Sequence, residues 1–512
     1  MMFGGEGYIG FLKRIPGVAG PLQRLTFRQK LKWTALTLLL YFMLAQITVY
    51  GIAQANFENL RFLEILLGSS FGSVMTLGIG PIVTASIILQ LLVGSKVINW
   101  DLRTERGKIL FQGTQKFLAI VFSFLEAGIY VMLGAIPAQT GLEHLVILQL
   151  AMGGILVIFM DELVSKWGFG SGVSLFIVAG VSKTIIVRAF NPLTQSGAFP
   201  SPGNPPAGII PFAITALLAG EPMGAFLSLL PLMATILVFF IVIYANAIKV
   251  EIPLAFGSIR GFGRRWPLKF FYTSNIPVIL TAALLANIQL IGRSLSATAP
   301  WIAQFDSQGQ VTGGILFYLT VPNSQALAGY MIFMGTFALI GVIIAYFSKK
   351  KPIPITFTFG ILGIFVWYAF ATSFGLSGLV NVPLSDLTRM FTYLLFLVTG
   401  AIIFSVFWVT TAGMDARSVS EQIHSIGMQI PGYRRDVRII ESVLSRYIMP
   451  LAVLGGMAVG MLAAFADFTN ALGTGTGILL ATLIIYNMYE QIAAQHMEDM
   501  HPAIRKLFGE KE

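Results

Sequence analysis

The stretch of sequence that decides the fold is FENLRFLEILLGSSFGSVMTLGIGPIVTASIILQLLV, which runs from Phe57 to Val93. Its first part, up to Gly72, contains two glutamates and an arginine and is too short and too charged to cross a bilayer. Its second part is apolar but is interrupted by Gly78-Ile79-Gly80-Pro81. Non-helical backbone is tolerated at membrane depth only when it is buried in protein or lines a water-filled cavity. The stretch therefore predicts a membrane protein that builds a cavity, with this segment lying in it.

The composition agrees with a membrane protein. The chain has 512 residues, of which 56% are hydrophobic and 11% are charged, whereas soluble domains carry about 25% charged residues. Apolar runs of about 20 residues recur along the chain, which is typical of a polytopic helical membrane protein. Because the chain has no cysteine and its four histidines are scattered, we expect no disulfide, no metal and no cofactor.

Twelve apolar segments are predicted to cross the membrane. They lie at 33–53, 73–94, 109–133, 145–165, 172–190, 229–248, 274–292, 329–348, 353–374, 391–411, 447–466 and 476–494. With the N-terminus in the cytoplasm, the inner segments hold 27 lysines and arginines and the outer segments hold 3. This asymmetry follows the positive-inside rule and predicts that both termini are cytoplasmic.

Two of the predicted inner loops, 249–273 and 412–446, are long and carry clusters of arginine. One interpretation is ordinary charge that sets the topology. The other is a docking surface for a polyanion or an acidic partner at the membrane face, and two such loops on one side favour it.

Few ionisable side chains fall inside the predicted spans. Such residues are functional candidates by default, and Glu126, deep in the third span, is the strongest. The alternative is a structural carboxyl that neighbouring helices satisfy. Thr84 and Asn287 lie at similar depth and could join it. No nucleophile with a base and an orienting group is present, so we expect a protein that is not an enzyme.

A faint internal repeat links two parts of the chain. Pro81-Ile82-Val83-Thr84-Ala85-Ser86 resembles Pro277-Val278-Ile279-Leu280-Thr281-Ala282. Proline-interrupted segments at matching positions of two halves point to a central pathway between inverted repeats. On its own the match is weak, since short apolar runs after proline are common in membrane proteins.

Eight blocks in order along the chain resemble one family, SecY, the central subunit of the protein-conducting translocon, in its archaeal form. The blocks are Leu25–Trp33, Thr76–Ala85, Asp161–Leu163 with Gly170–Gly172, Val250–Leu254, Tyr272–Leu280, Gly473–Gly477, Tyr489–Gln491 and His501–Ile504. Any one block would be weak evidence, but the ordered set is specific.

The resemblance implies an all-α polytopic fold with ten spans in two inverted halves, 1–250 and 251–512, around an hourglass channel. It also implies a plug at 57–72, a short helix that closes the outer funnel, and its positions include Phe57, Arg61, Glu64, Leu67 and Gly72. A ring of apolar side chains would close the waist. By position in the motifs its members are Ile79, Val83, Val173, Ile177, Ile279 and Leu480.

The resemblance further implies a lateral gate, with Thr84, Glu126 and Asn287 as its polar cluster. Signal sequences would bind there. The implied ribosome-docking residues are Arg260, Arg264, Arg265, Arg417, Arg434 and Arg435. Implied partners are a SecE-type small subunit and a third small subunit in a heterotrimer, the ribosome, secretory and membrane-protein nascent chains, the lipid bilayer and, indirectly, the signal recognition machinery. The implied location is the plasma membrane, with many passes.

One part of the chain departs from the ten-span pattern. An insertion at about 325–378 adds two spans joined by Lys349-Lys350-Lys351, and we expect a hairpin next to the span at 391–411. The resulting total of about twelve spans also leaves an alternative function open, a secondary transporter of a small solute. Its broken helices would suit a transporter, but the sparse charges within the spans and the plug-like segment argue against one.

Overall fold

The computed structural model describes most of the chain. The described residues are 6–53, 64, 68–102, 104–132, 134, 136–194, 197–201, 203–256, 263–273, 275–296, 299–306, 311–322, 324–349, 351–425, 428–429 and 436–499.

Eight helices precede the first strand. They are α1 Glu6–Leu12, α2 Phe27–Leu44, α3 Gly80–Gly94, α4 Glu105–Met132, α5 Glu143–Trp167, α6 Gly172–Phe190, α7 Ile209–Leu218 and α8 Pro222–Ala247.

The remaining elements mix short strands with long helices. They are β1 Lys249–Phe256, β2 Gly263–Lys269, α9 Ile276–Leu295, β3 Gln304–Phe305, β4 Val311–Gly313, α10 Ile315–Tyr318, α11 Gln325–Ser348, α12 Pro352–Ser373, a 3₁₀ turn at Ser377–Leu379, α13 Leu384–Thr411, α14 Ala416–Ser425, β5 Met428–Gln429, α15 Val437–Phe468 and α16 Gly475–Asp499.

The predicted helical membrane fold is confirmed. Within the described residues, nine helices are long and apolar enough to cross a membrane, and a helix overlaps each of the twelve predicted spans. The main difference is α7, which lies in a segment predicted to be a connection. With ten residues it is too short to be recognised as a span. In addition, α8 begins at Pro222 rather than near 229, since proline is well suited to the first turn of a helix.

The long helices share one hydrophobic core that extends through both halves of the chain. In the first half α4 packs between α3 and α5, and in the second half α13 packs between α9 and α15. On one side of the molecule the halves meet where α3 contacts α9 and α13 and α4 contacts α9. Elsewhere α16 contacts α6 and α8, and α11 contacts α8. We call the contact of α3 and α4 with α9 and α13 the seam.

A small sheet marks one end of the molecule. Its strand order is β2-β1-β5, and β1 pairs antiparallel with β2, with Lys249 opposite Lys269. Ile252 and Leu268 of this sheet pack with Ile440 and Leu444 of α15 in a second hydrophobic cluster. The sheet is thus fixed to the helices. We call this end the sheet side and the opposite end the plug side.

The inserted hairpin consists of α11 and α12, as predicted, and its helices are in close contact. A Cβ built on Gly363 would lie 2.4 Å from the carbonyl oxygen of Phe333, so glycine permits the approach. The expectation that the hairpin lies next to α13 was wrong. It packs mainly against α8 and α15, where a Cβ on Gly335 would meet Phe465 at 2.8 Å and Leu237 at 2.9 Å.

Candidate functional site

A cavity of about 740 Å³ opens between the helices on the sheet side. Its walls come from α3, α4, α5, α6, α9, α13 and α14. Polar side chains such as Gln90, Gln115 and Ser174 line it beside apolar ones. Polar and apolar side chains therefore face the same space.

The six predicted ring residues lie in or against the central core. Ile79 and Ile177 are 0% exposed, Leu480 is 1% exposed, and Val83 and Ile279 are also buried, whereas Val173 is half-buried.

Three ring residues also line the cavity. They are Val83, Val173 and Ile279, which lie near the beginnings of α3, α6 and α9. The aliphatic group therefore stands where the cavity meets the packed core. This is the position that an apolar constriction requires.

The break predicted before α3 is present. Gly78 has a φ of +51°, which favours glycine, and Pro81 occupies the first turn of α3. The chain therefore enters α3 partway through the molecule, and Ile79 and Val83 are placed at the start of a helix rather than along a continuous span.

Only part of the predicted plug is described, namely Glu64 and 68–72, while Phe57, Arg61 and Leu67 lie outside the described residues. Its described end is held in place. The hydroxyl of Tyr41 donates to the carbonyl oxygen of Gly68 at 3.0 Å.

Two further contacts fix the same segment. The amide of Phe71 donates to the Glu64 carboxylate at 2.7 Å. Gly68 abuts α6, because a Cβ built there would lie 3.5 Å from Phe176 and 3.6 Å from the backbone nitrogen of Ile177. This end of the segment therefore lies against α6, which carries the predicted ring residues Val173 and Ile177. Gly72, with a φ of +83°, leads on to the segment before α3.

The structure brings the three predicted polar residues together at the seam. Thr84 donates its hydroxyl to the Glu126 carboxylate at 2.7 Å, and the amide of Asn287 donates to the Thr84 hydroxyl at 2.9 Å. Thr84 and Glu126 belong to α3 and α4, and Asn287 belongs to α9. The bond from Asn287 therefore crosses the seam.

Sequence reasoning missed a fourth member, Tyr130. Its hydroxyl donates to the side-chain oxygen of Asn287 at 3.4 Å, which is the second bond across the seam. The available signal was its spacing, since Tyr130 follows Glu126 by four residues and so shares a helix face with it. The second carboxylate oxygen of Glu126 is buried and has no hydrogen-bond partner among the described residues.

Half of the predicted docking arginines, Arg260, Arg434 and Arg435, lie outside the described residues. Arg264 and Arg265 are in β2, where their backbones pair with β1. Arg417 is exposed on α14, also on the sheet side, and forms an ion pair with Glu421 at 3.3 Å. The three predicted docking arginines that the structure describes therefore lie at the same end of the molecule.

Comparison with known families gives two matches. Residues 73–489 match the SecY family, and residues 39–72 match the plug domain of Sec61p. The second match ends at Gly72 and covers the segment predicted to be a plug.

Individual relatives agree with this result over almost the whole chain. The chain is 40% identical to the protein translocase subunit SecY of Methanothermobacter thermautotrophicus, with 97% of each chain covered. It is 38% identical to the SecY subunit of Methanocaldococcus jannaschii, with 98% of this chain and 99% of the relative covered.

Solved structures are also similar. A structure described as a protein-conducting channel superposes with a TM-score of 0.76 at 39% identity and covers 97% of this chain and 99% of its own. The Sec61 channel in the canine ribosome–channel complex gives a TM-score of 0.73 at 39% identity with the same coverage. These likenesses do not support the alternative of a solute transporter.

Proposed function

This chain belongs to the SecY family and is a channel subunit of a protein translocase, and we propose which of its parts carry that function. In this proposal unfolded secretory chains enter the cavity on the sheet side, pass the aliphatic ring and displace the plug. Transmembrane segments leave sideways through the seam. The observation that carries the proposal is the aliphatic group standing between an open cavity and the plug-side segment.

The proposed ring consists of Ile79, Val83, Val173, Ile177, Ile279 and Leu480. Branched aliphatic side chains expel water from a narrow passage and so resist the flow of ions. They offer no hydrogen bond and no charge that would hold a particular passing residue. A ring of this kind parts around a chain of any sequence and closes again behind it.

The proposed gate is the seam, and Asn287 makes both hydrogen bonds that cross it among the described residues. An apolar signal sequence that enters between α3 and α9 would replace these bonds with apolar burial. The open state then gains stability only when the entering segment is sufficiently apolar.

We place the protein in the plasma membrane. In the proposed orientation the sheet side and both termini face the cytoplasm. The sheet-side arginines would then face the ribosome, whose RNA is a polyanion. A solved relative is the Sec61 channel of a ribosome–channel complex, which supports this partner. The signal recognition machinery would act indirectly, by delivering nascent chains.

We also propose two small subunits, one of SecE type, that hold the halves 1–250 and 251–512 together. Single-span helices could pack against exposed apolar side chains of α2, α6 and α8. These side chains include Leu39, Ile186 and Phe240. The proposed role needs no covalent chemistry by this chain. A translating ribosome or another partner supplies the energy.

The ring is tested by ion conductance of the purified complex in planar bilayers. Val83→Gly and Ile279→Gly each widen the constriction, so we expect conductance to rise. The matched control is Val157→Gly, which empties an equally buried site in α5 away from the ring. Conductance that stays at the wild-type level in both ring variants would refute the ring assignment.

The gate is tested by the export of a reporter with a weakened signal sequence. Asn287→Leu removes both bonds across the seam, and we expect export to increase. Gln289→Leu is the control, because Gln289 lies on the same helix but bonds to the carbonyl oxygen of Leu319 within the same half. Equal export in the two variants would count against the seam as the gate.

The docking surface is tested by cosedimentation with ribosomes at low salt. Reversal of charge in Arg264→Glu and Arg265→Glu should weaken binding, since phosphate contacts dominate such affinities. Lys183→Glu is the control, because Lys183 is exposed on α6 near the plug side. Undiminished binding would remove this loop from the docking surface.

A further inference from the structure

Two of the helices that carry the proposed ring begin against a carboxylate from the preceding helix. The first is α6. Asp161 of α5 accepts the backbone N–H of Val173 at 2.9 Å and the hydroxyl of Ser171 at 3.4 Å, both on the same oxygen. Val173 is itself a ring residue, and Ile177 follows one turn later on the same face.

The second is α16, which begins against Asp467 near the end of α15. One Asp467 oxygen accepts the backbone N–H of Thr476 at 2.7 Å. The other oxygen accepts the hydroxyl of Thr476 and the hydroxyl of Tyr393, the latter at 2.7 Å. The ring residue Leu480 follows Thr476 by one turn.

Backbone contact accompanies each carboxylate. A Cβ built on Gly172 would lie 2.5 Å from the Cα of Asp161, and one on Gly475 would lie 1.8 Å from the carbonyl carbon of Ala466. No side chain fits at either place. The start of each helix is therefore held both by hydrogen bonds to a carboxylate and by direct contact with the helix before it.

The other two ring helices begin differently. Both α3 and α9 have proline in the first turn, whereas α6 and α16 do not. The first backbone N–H groups of a helix lack partners within the helix, so a carboxylate that accepts one of them determines where the first turn stands.

We propose that Asp161 and Asp467 are positioning residues that hold the ring side chains at the constriction, one in each half of the chain. The inference rests on the proposed ring. When the carboxylate is lost, the first turn of α6 or α16 loses its acceptor and shifts. Val173 and Ile177, or Leu480, shift with it, and the constriction no longer excludes water and ions.

The test compares the conductance of the purified complex in planar bilayers. Asp161→Ala and Asp467→Ala should raise conductance several-fold. Asp161→Asn should stay near the wild-type value, because asparagine keeps the single oxygen that accepts both bonds. Tyr393→Phe serves as a milder variant in case Asp467→Ala does not fold, and it should give a smaller rise.

The matched control is Asp436→Ala. Asp436 accepts the backbone N–H of Arg438 at 2.9 Å and caps α15, which carries none of the proposed ring residues. Its loss should lower thermal stability without raising conductance. Because the chain has no cysteine, Ile79→Cys, at a ring position that is 0% exposed, also reports opening through its rate of reaction with a water-soluble thiol reagent.

The outcomes separate the two proposals. If Ile279→Gly conducts but Asp161→Ala and Asp467→Ala only lose thermal stability, the carboxylates serve folding alone and the inference is overturned. If Ile279→Gly itself does not conduct, the ring assignment fails and the inference fails with it. If conductance is raised in Asp161→Ala but stays at the wild-type level in Asp161→Asn, the inference is supported.

Discussion

The junctions α5–α6 and α15–α16 use the same device in different surroundings. Asp161 lines the cavity on the sheet side, where water can reach it. Asp467 is buried on the plug side and is also bonded to Tyr393 of α13, a helix that forms part of the seam. A carboxylate thus holds the start of a helix in both halves, and the two helices, α6 and α16, run in opposite directions through the molecule. This arrangement supports an inverted repeat. Only the second copy reaches a seam helix.

This difference bears on how the seam would open if it is the gate, as proposed. Tyr393 joins α13 to the end of α15 and the start of α16, so these three helices are expected to move as one body. The bonds of Asp161 hold α5 to α6 and include neither α3 nor α4. The first half therefore has the freer seam helices, and we expect more of the opening motion there.

The largest expected effect is that of Asp467→Ala. The change leaves three buried donors without an acceptor, and each costs about 1–3 kcal/mol, so we expect a loss of about 3 kcal/mol or more. The unfolding temperature of the purified complex measures it. Asp467→Asn keeps one acceptor for the N–H of Thr476 and should lose less. A smaller loss than in Asp161→Ala would contradict the contrast between the junctions.

A smaller effect is expected for Asp161→Ala. Water in the cavity can replace the lost carboxylate, so the cost should be that of an ordinary helix cap, about 1 kcal/mol. The same unfolding measurement applies, with Asp161→Asn expected close to wild type. If Asp161→Asn were as unstable as Asp161→Ala, the negative charge rather than the acceptor oxygen would be what the junction needs.

An effect on stability no larger than that of Asp161→Ala is expected for Tyr393→Phe, which removes one hydrogen bond worth about 0.5–1.5 kcal/mol. Its consequence for function should be more visible, since α13 is no longer bonded to Asp467. We expect better export of a reporter with a weakened signal sequence. Tyr330→Phe, which removes a hydroxyl bonded to Val380 beside the hairpin, is the control and should leave export unchanged.

Local features of the sequence predicted the break before α3 and the polar residues of the seam, because glycine, proline and a carboxyl inside an apolar run stand out. Tyr130 was missed, since a tyrosine one turn from a glutamate looks like any other aromatic residue of a span. The bond between Tyr393 and Asp467 joins residues 74 positions apart, and nothing in either segment indicates its partner.

The hairpin shows another limit of sequence reasoning. Its two helices were predicted correctly from length and hydropathy. Its position was wrong because neighbours in the chain need not be neighbours in space. Small residues on α11, such as Gly335, fit against Phe465 of α15 and Leu237 of α8, and this fit rather than proximity to α13 decides where the hairpin lies.

The two hydrogen bonds of Asn287 set a minimum free energy that an entering segment must supply to part the seam. Two hydrogen bonds contribute about 1–3 kcal/mol in total. Burial of a single leucine side chain is worth about 1.5–3 kcal/mol. In the proposed gate, one or two large apolar residues more or fewer in an arriving segment would therefore decide whether it parts the helices and enters the lipid or continues across the membrane. Because these two bonds are weak, the proposed gate would sort arriving segments by the number of their large hydrophobic side chains.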